Sequence, residues 1–168
     1  MRVEVAERVR IEGGILADLY ARHADEALRL AFLLTGNRAT AEDLVHDAFV
    51  RLAGRLLHLR DPGGFQAYLR TTVVNLARSH FRRRVVERRH AERQAPPRPE
   101  DQPDVSGREE MRLALLALPV RQRTAIVLRY YEDLSEAQTA ELMRVRRAAV
   151  KSLVSRGMTT LRQMIGEA

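Results

Sequence analysis

The chain has 168 residues and a formal net charge of +7, with 45% apolar, 30% charged and only 5% aromatic residues, and no tryptophan or cysteine. That length suits one ordinary domain or two small helical ones, and the scarcity of aromatics argues for helices over a β-sandwich or barrel. The missing thiols exclude disulfides, cysteine-ligated zinc, thiol catalysis and redox sensing within the chain. No stretch approaches the roughly 20 apolar residues of a membrane span, and the N-terminal stretch lacks a signal peptide's apolar run, so a cytoplasmic protein without membrane insertion is expected.

In chain order, helical periodicity runs from about Ile15 to Thr35, from Thr40 to about His58, and from Gly64 to about Arg93. Gly36-Asn37 reads as the end of the first helix, Thr40 with Asp43 as a capping box for the second, and Asp61-Pro62-Gly63-Gly64 as a turn. The stretch from Gln94 to Gly107, QAPPRPEDQPDVSG, carries four prolines and offers no apolar face. It reads as a flexible linker. Shorter helices follow at about Arg108 to Leu118, Val120 to Tyr131, Ser135 to Met143 and Arg147 to Ile165, with Pro119 in a tolerant first turn and Ser135 with Gln138 as a second capping box. The expected fold is all-α, with two small helical domains at 1–93 and 108–168 joined by a linker at 94–107.

The positive charge suits either a polyanionic partner, bound by counterion release, or a generally basic surface. Only Lys151 among the 29 cations is a lysine, and arginine suits bidentate contacts to phosphate and guanine. Ser135 to Met158 reads as a capped helix, a turn near Arg144-Val145 and a cationic second helix, the helix-turn-helix pattern. At 100° per residue, Val150, Leu153, Val154, Gly157 and Leu161 form the core face of that second helix. Ala148, Ser152 and Ser155 centre the opposite face, flanked by Arg147, Lys151 and Arg156. Small residues let a helix sit deep in a major groove while long cations reach the phosphates. A lone arginine-rich helix would equally suit a solvated bundle surface; cap, turn, core face and small outward residues together favour DNA.

Two further helices carry candidate surfaces. In AEDLVHDAFVRL, residues 41–52, Leu44, Val45, Ala48, Phe49 and Leu52 share one side while Glu42, Asp43, His46, Asp47 and Val50 face the other, an acidic strip in a basic protein that could also be a simple solvated face. In the third helix, Phe65, Leu69, Thr72, Val73, Leu76 and His80 project to the core. Arg70, Thr71, Val74, Asn75, Arg78 and Arg82 project outward into an arginine cluster that suits unpaired bases. Tyr68 projects partly to the core, which suggests packing.

LPVRQRTAIVLRYYEDLSEAQTAELM with VKSLVSRGMTTLR closely resembles the promoter-binding sigma-four domain of extracytoplasmic-function sigma factors, group IV of the sigma-70 family. That resemblance implies contact with the −35 element by Arg146, Arg147, Ala149, Lys151, Ser152, Ser155 and Arg156, and contact with the β flap by the preceding helices. AEDLVHDAFVRL resembles the sigma-two segment that docks on the β′ clamp coiled coil, implying Glu42, Asp43, Val45, His46, Asp47 and Val50 as core-polymerase contacts. FQAYLRTTVVNLARSHFRRR resembles the helix that engages the −10 element, implying His58, Arg60, Asp61, Arg70, Thr71, Asn75, Arg78 and Arg82 as contacts to opened DNA, with a flipped base held by the loop at 58–63. The LRDPGGFQAY stretch is most similar to an actinobacterial branch.

By this resemblance the chain is a non-catalytic specificity subunit that needs no cofactor or metal of its own. Its partners are core RNA polymerase, duplex and single-stranded promoter DNA and, where the family uses one, an anti-sigma factor. One departure falls in the turn, where Arg144, Val145 and Arg146 replace the glycine-containing turn and serine cap usual in the family. Arg144 must then accept a strained left-handed backbone, or the turn is rebuilt. Against the resemblance stand a dimeric helix-turn-helix regulator, disfavoured by the basic helix and acidic strip of the N-terminal half, and an enzyme, disfavoured because His23, His46, His58, His80 and His90 are scattered and no phosphate loop is present.

Overall fold

The computed structural model describes residues 2–53, 64–90 and 107–166, with side chains within 13–53, 64–87 and 109–166. The loop residues His58, Arg60 and Asp61 lie outside the described residues, as does the proline-rich stretch before Gly107. Every described element is helical: α1 (Arg2–Thr35), α2 (Arg38–Ala53), α3 (Phe65–His90), α4 (Gly107–Ala117), α5 (Val120–Ile126), a π-helical turn (Val127–Tyr131), α6 (Glu136–Met143) and α7 (Arg147–Gly166). The chain divides into two compact units, Met1–Ala77 and Arg78–Ala168, so the division falls within α3.

In the first unit α1 ends at Gly36, whose φ of 71° is left-handed and whose N–H donates to the Phe32 carbonyl at 2.8 Å. The cap of α2 is Asn37, not Thr40: Asn37 Oδ1 accepts from the Thr40 N–H at 2.8 Å and the helix starts at Arg38. Both residues are good caps, and the asparagine sits immediately after the glycine that reverses the chain. The core joins Ala27, Leu30, Ala31 and Leu34 of α1 to Leu44, Val45, Ala48, Phe49 and Leu52 of α2 and Phe65, Leu69, Val73, Val74, Leu76 and Ala77 of α3. Phe49 centres the aromatic contacts, 4.8 Å from Tyr20 and 5.9 Å from Phe65 between ring centroids. Gln66 Nε2 donates to the Glu26 carboxylate at 2.8 Å, tying α3 to α1.

Two outward or inward projections on α3 are corrected. Val74 is fully buried although the projection turned it outward, because the apolar stripe of α3 is wide enough to take both Val73 and Val74. Tyr68 is 56% exposed and is no core residue.

In the second unit α7 packs on α4 and α5 through Ala114, Leu118, Ile126 and Leu161, joined by Leu115, Met158 and Ile165. Gly157 makes close approach possible: a Cβ there would lie 2.6 Å from Ile126 Cδ1 and 3.3 Å from Gln122 Cβ. Arg123 is buried, its Nη1 donating to the Leu116 carbonyl at 2.9 Å and its guanidinium lying 5.5 Å from the Phe81 ring centroid. Burial lowers its pKa. Its position on the apolar face of α5 was not anticipated from the sequence; the signal was its spacing from Val120 and Val127.

The helix expected from Val120 to Tyr131 widens into a π-turn at Val127, with the Glu132 N–H donating to the Val127 carbonyl at 3.0 Å. Val127 and Leu128 stay buried while Tyr130 and Tyr131 emerge, 64% and 44% exposed.

Candidate nucleic-acid interface

The helix-turn-helix begins with a full capping box. Ser135 Oγ accepts from the Gln138 N–H at 3.2 Å, and Gln138 Oε1 accepts from the Ser135 N–H at 2.8 Å. α6 ends at Arg144, with φ 55° and ψ 51°. The Val145 N–H donates to the Ala140 carbonyl at 2.9 Å and the Arg144 N–H to the Glu141 carbonyl at 3.1 Å, the paired bonds of a Schellman motif. The turn is thus not rebuilt. An arginine occupies the left-handed position that glycine would take without a Cβ clash, at a cost of about 1–2 kcal/mol.

α7 then starts at Arg147 without a side-chain acceptor before it, since arginine carries none; the Arg146 carbonyl accepts from the Ala149 and Val150 N–H groups at 2.9 and 3.2 Å. Val150, Leu153, Gly157 and Leu161 are buried, with Val154 half-buried at their margin. Arg146, Arg147, Ala148, Lys151, Ser152, Ser155 and Arg156 are exposed, and Ala149 is half-buried at the edge of that face. Six of the seven residues expected to read duplex DNA therefore stand together on open surface. Lys151 and Ser155 also line a groove of about 260 Å³ with Arg129, Tyr130 and Arg162. Tyr130 was not singled out in the sequence, because periodicity alone placed it within an ordinary helix.

On α3, Thr71, Asn75, Arg78 and Arg82 follow one another at helical spacing, the first three half-buried and Arg82 exposed. Arg70 is half-buried beside them. Thr71 Oγ1 donates to the Ala67 carbonyl at 2.8 Å, and Arg82 Nη2 to Ser79 Oγ at 3.2 Å. Burial lowers the Arg78 pKa, and the positive charges of Arg144, Arg82 and Arg121 add to that effect.

On α2, Glu42, Asp43, His46, Asp47 and Val50 are exposed, Val50 by 58%. Glu42 is engaged by Arg38 Nε at 2.9 Å, so Asp43 and Asp47 carry most of the open negative charge. Val45 is corrected: at 3% exposed it belongs to the α1–α2 core and has no surface to offer a partner. Among the described residues no three His, Asp or Glu side chains come together to hold a metal, and no helix is long and apolar enough to cross a membrane.

Residues 19–86 match the Sigma-70 region 2 family and residues 108–161 match Sigma-70, region 4. The RNA polymerase sigma-E factor of Streptomyces coelicolor is 32% identical over 143 residues, covering 83% of this chain and 79% of that protein. The chain belongs to the sigma-70 family, in its ECF group. Sigma factors of this family are non-catalytic specificity subunits of RNA polymerase. The ECF RNA polymerase sigma factor SigE of Mycolicibacterium smegmatis is 30% identical over 89% of this chain, which spans 61% of that relative's length. The fold is that of the sigma factor RpoE in complex with the anti-sigma factor NepR from Bartonella quintana, with a TM-score of 0.74, 22% identity, and coverage of 89% of this chain and 96% of the other.

Proposed function

We propose that this sigma factor binds core RNA polymerase, directs it to promoters with −10 and −35 elements, and assists strand opening. The observation that carries the reading is the division of α7 into a buried apolar face and an open face of small hydroxyls and cations, the form a helix needs to enter a major groove. Region 4, at 108–168, reads the −35 duplex through Arg146, Arg147, Ala149, Lys151, Ser152, Ser155 and Arg156, and its earlier helices meet the β flap. Region 2, at 1–93, reads the −10 element through Arg70, Thr71, Asn75, Arg78 and Arg82 with the loop residues His58, Arg60 and Asp61. It docks on the β′ clamp through Glu42, Asp43, His46, Asp47 and Val50. A tether at 94–107 gives each region roughly millimolar effective concentration for its half of the promoter. The work is done in the cytoplasm, and the LRDPGGFQAY stretch supports an actinobacterial origin. Control by an anti-sigma factor is supported by the complex in which RpoE was solved.

The test is reconstitution. Purified core polymerase with this chain should initiate at promoters whose start sites are mapped after overexpression, and should not do so without it. The Asp43→Arg/Asp47→Arg double variant should lose co-purification with core while keeping its helical content. Undiminished core binding by that variant removes the docking surface, and absence of promoter-directed transcripts with wild type removes the reading as a whole.

A further inference from the structure

The turn of the helix-turn-helix holds an arginine where the backbone favours glycine. Arg144 stands at φ 55°, fixed there by the two Schellman bonds to Ala140 and Glu141. The position is exposed, so no packing demand calls for a long side chain. Among the described residues the Arg144 guanidinium makes no hydrogen bond or ion pair, although the exposed carboxylate of Glu141 lies only three residues earlier. Its neighbours along the turn and the start of α7, Arg146, Arg147 and Lys151, are all exposed cations. When a recognition helix enters the major groove by its N-terminal end, the residues just before it stand at the groove's edge, where phosphates line the way. A strained residue kept without an internal partner is a residue kept for an external one.

We propose that Arg144 contacts the phosphodiester backbone of duplex DNA and sets the affinity, not the sequence preference, of region 4 binding. This rests on the reading of α7 as the DNA-docking helix. A phosphate contact carries no base information, so its loss weakens matched and arbitrary duplexes alike and flattens the salt dependence of both. The arrangement exchanges turn stability for grip on DNA, which makes the two separable by one substitution.

The experiment is salt-titrated binding of the full chain to a short duplex of arbitrary sequence, begun at low salt, together with thermal melting. Arg144→Gly should raise the melting temperature by about 2–4 °C, which also shows that the variant is folded. It should lower the slope of log affinity against log salt by about one unit. Arg144→Asn, which tolerates the left-handed backbone without the charge, should lower the slope equally. Arg144→Lys should keep it. A wild-type slope in both the Gly and the Asn variants overturns the assignment, as does a loss of core-polymerase affinity in place of DNA affinity. Absence of salt-dependent duplex binding by the wild-type chain overturns instead the reading of α7 on which the assignment stands.

Discussion

The two basic helices α3 and α7 use similar residues in opposite ways. α7 buries a narrow stripe, Val150, Leu153, Gly157 and Leu161, and leaves its cations and serines exposed. α3 buries a wide one, including both Val73 and Val74, and its candidate DNA residues Arg70, Thr71, Asn75 and Arg78 are half-buried at the margins. A helix that must both hold a core and touch a ligand has no free face, whereas one that packs on one side can vary the other. Substitutions on α7 should therefore separate binding from stability, and substitutions on the N-terminal half of α3 should not.

The harshest test of that contrast is Phe65→Ala at the start of α3. Phe65 is 1% exposed, with ring centroids 5.9 Å from Phe49 and 5.5 Å from His23. Its truncation should cost about 3–5 kcal/mol in chemical denaturation, lowering thermal stability and core binding together. A smaller loss is expected on the packed side of α7, where Gly157→Val would press a branched side chain on Ile126 and Gln122; denaturant melts should show about 1–3 kcal/mol of destabilisation. The sign reverses at Thr139 of α6, whose fully buried Oγ1 has no hydrogen-bond partner among the described residues. Thr139→Val keeps the shape and removes the buried hydroxyl, and should stabilise by about 1 kcal/mol without changing DNA affinity. Least of all, Ser152→Ala with Ser155→Ala on the open face of α7 should leave stability within about 0.5 kcal/mol, while a matched −35 duplex competes less well against scrambled DNA. A large stability loss from the serine pair would show that α7, too, has no free face.

The same contrast explains what could be read in advance. α7 obeys a single 3.6-residue period, so its core face and its open face both followed from spacing, and the Ser135–Gln138 pair announced the start of α6. Spacing failed where one helix meets several neighbours. Val74 was turned outward because a projection has one inside and one outside, whereas a helix among several partners has a broad inside; Val45, which spacing placed on the core side, was offered to a partner only through the family resemblance. It failed also where backbone geometry departs from the α-helix. The π-turn preserves apolar residues at Val127 and Leu128 and so leaves the pattern intact while re-aiming Tyr130 and Tyr131. The left-handed Arg144 was legible only as a dilemma between strain and rebuilding, which hydrogen bonds and not composition resolve. Arg123 was missed because a cation on an apolar face is read as surface by default.

The π-turn has an evolutionary consequence. Such a turn is an α-helix that has taken in one residue, and the Val127–Tyr131 stretch holds that residue beside the entry to the helix-turn-helix. Loss of a single residue there would be absorbed by tightening five residues into an ordinary turn, with α6 and α7 keeping their own caps and core. Relatives one residue shorter at this joint should thus share the helix-turn-helix and differ in whether a tyrosine faces outward beside it, so that a length polymorphism invisible to the fold becomes a change of surface.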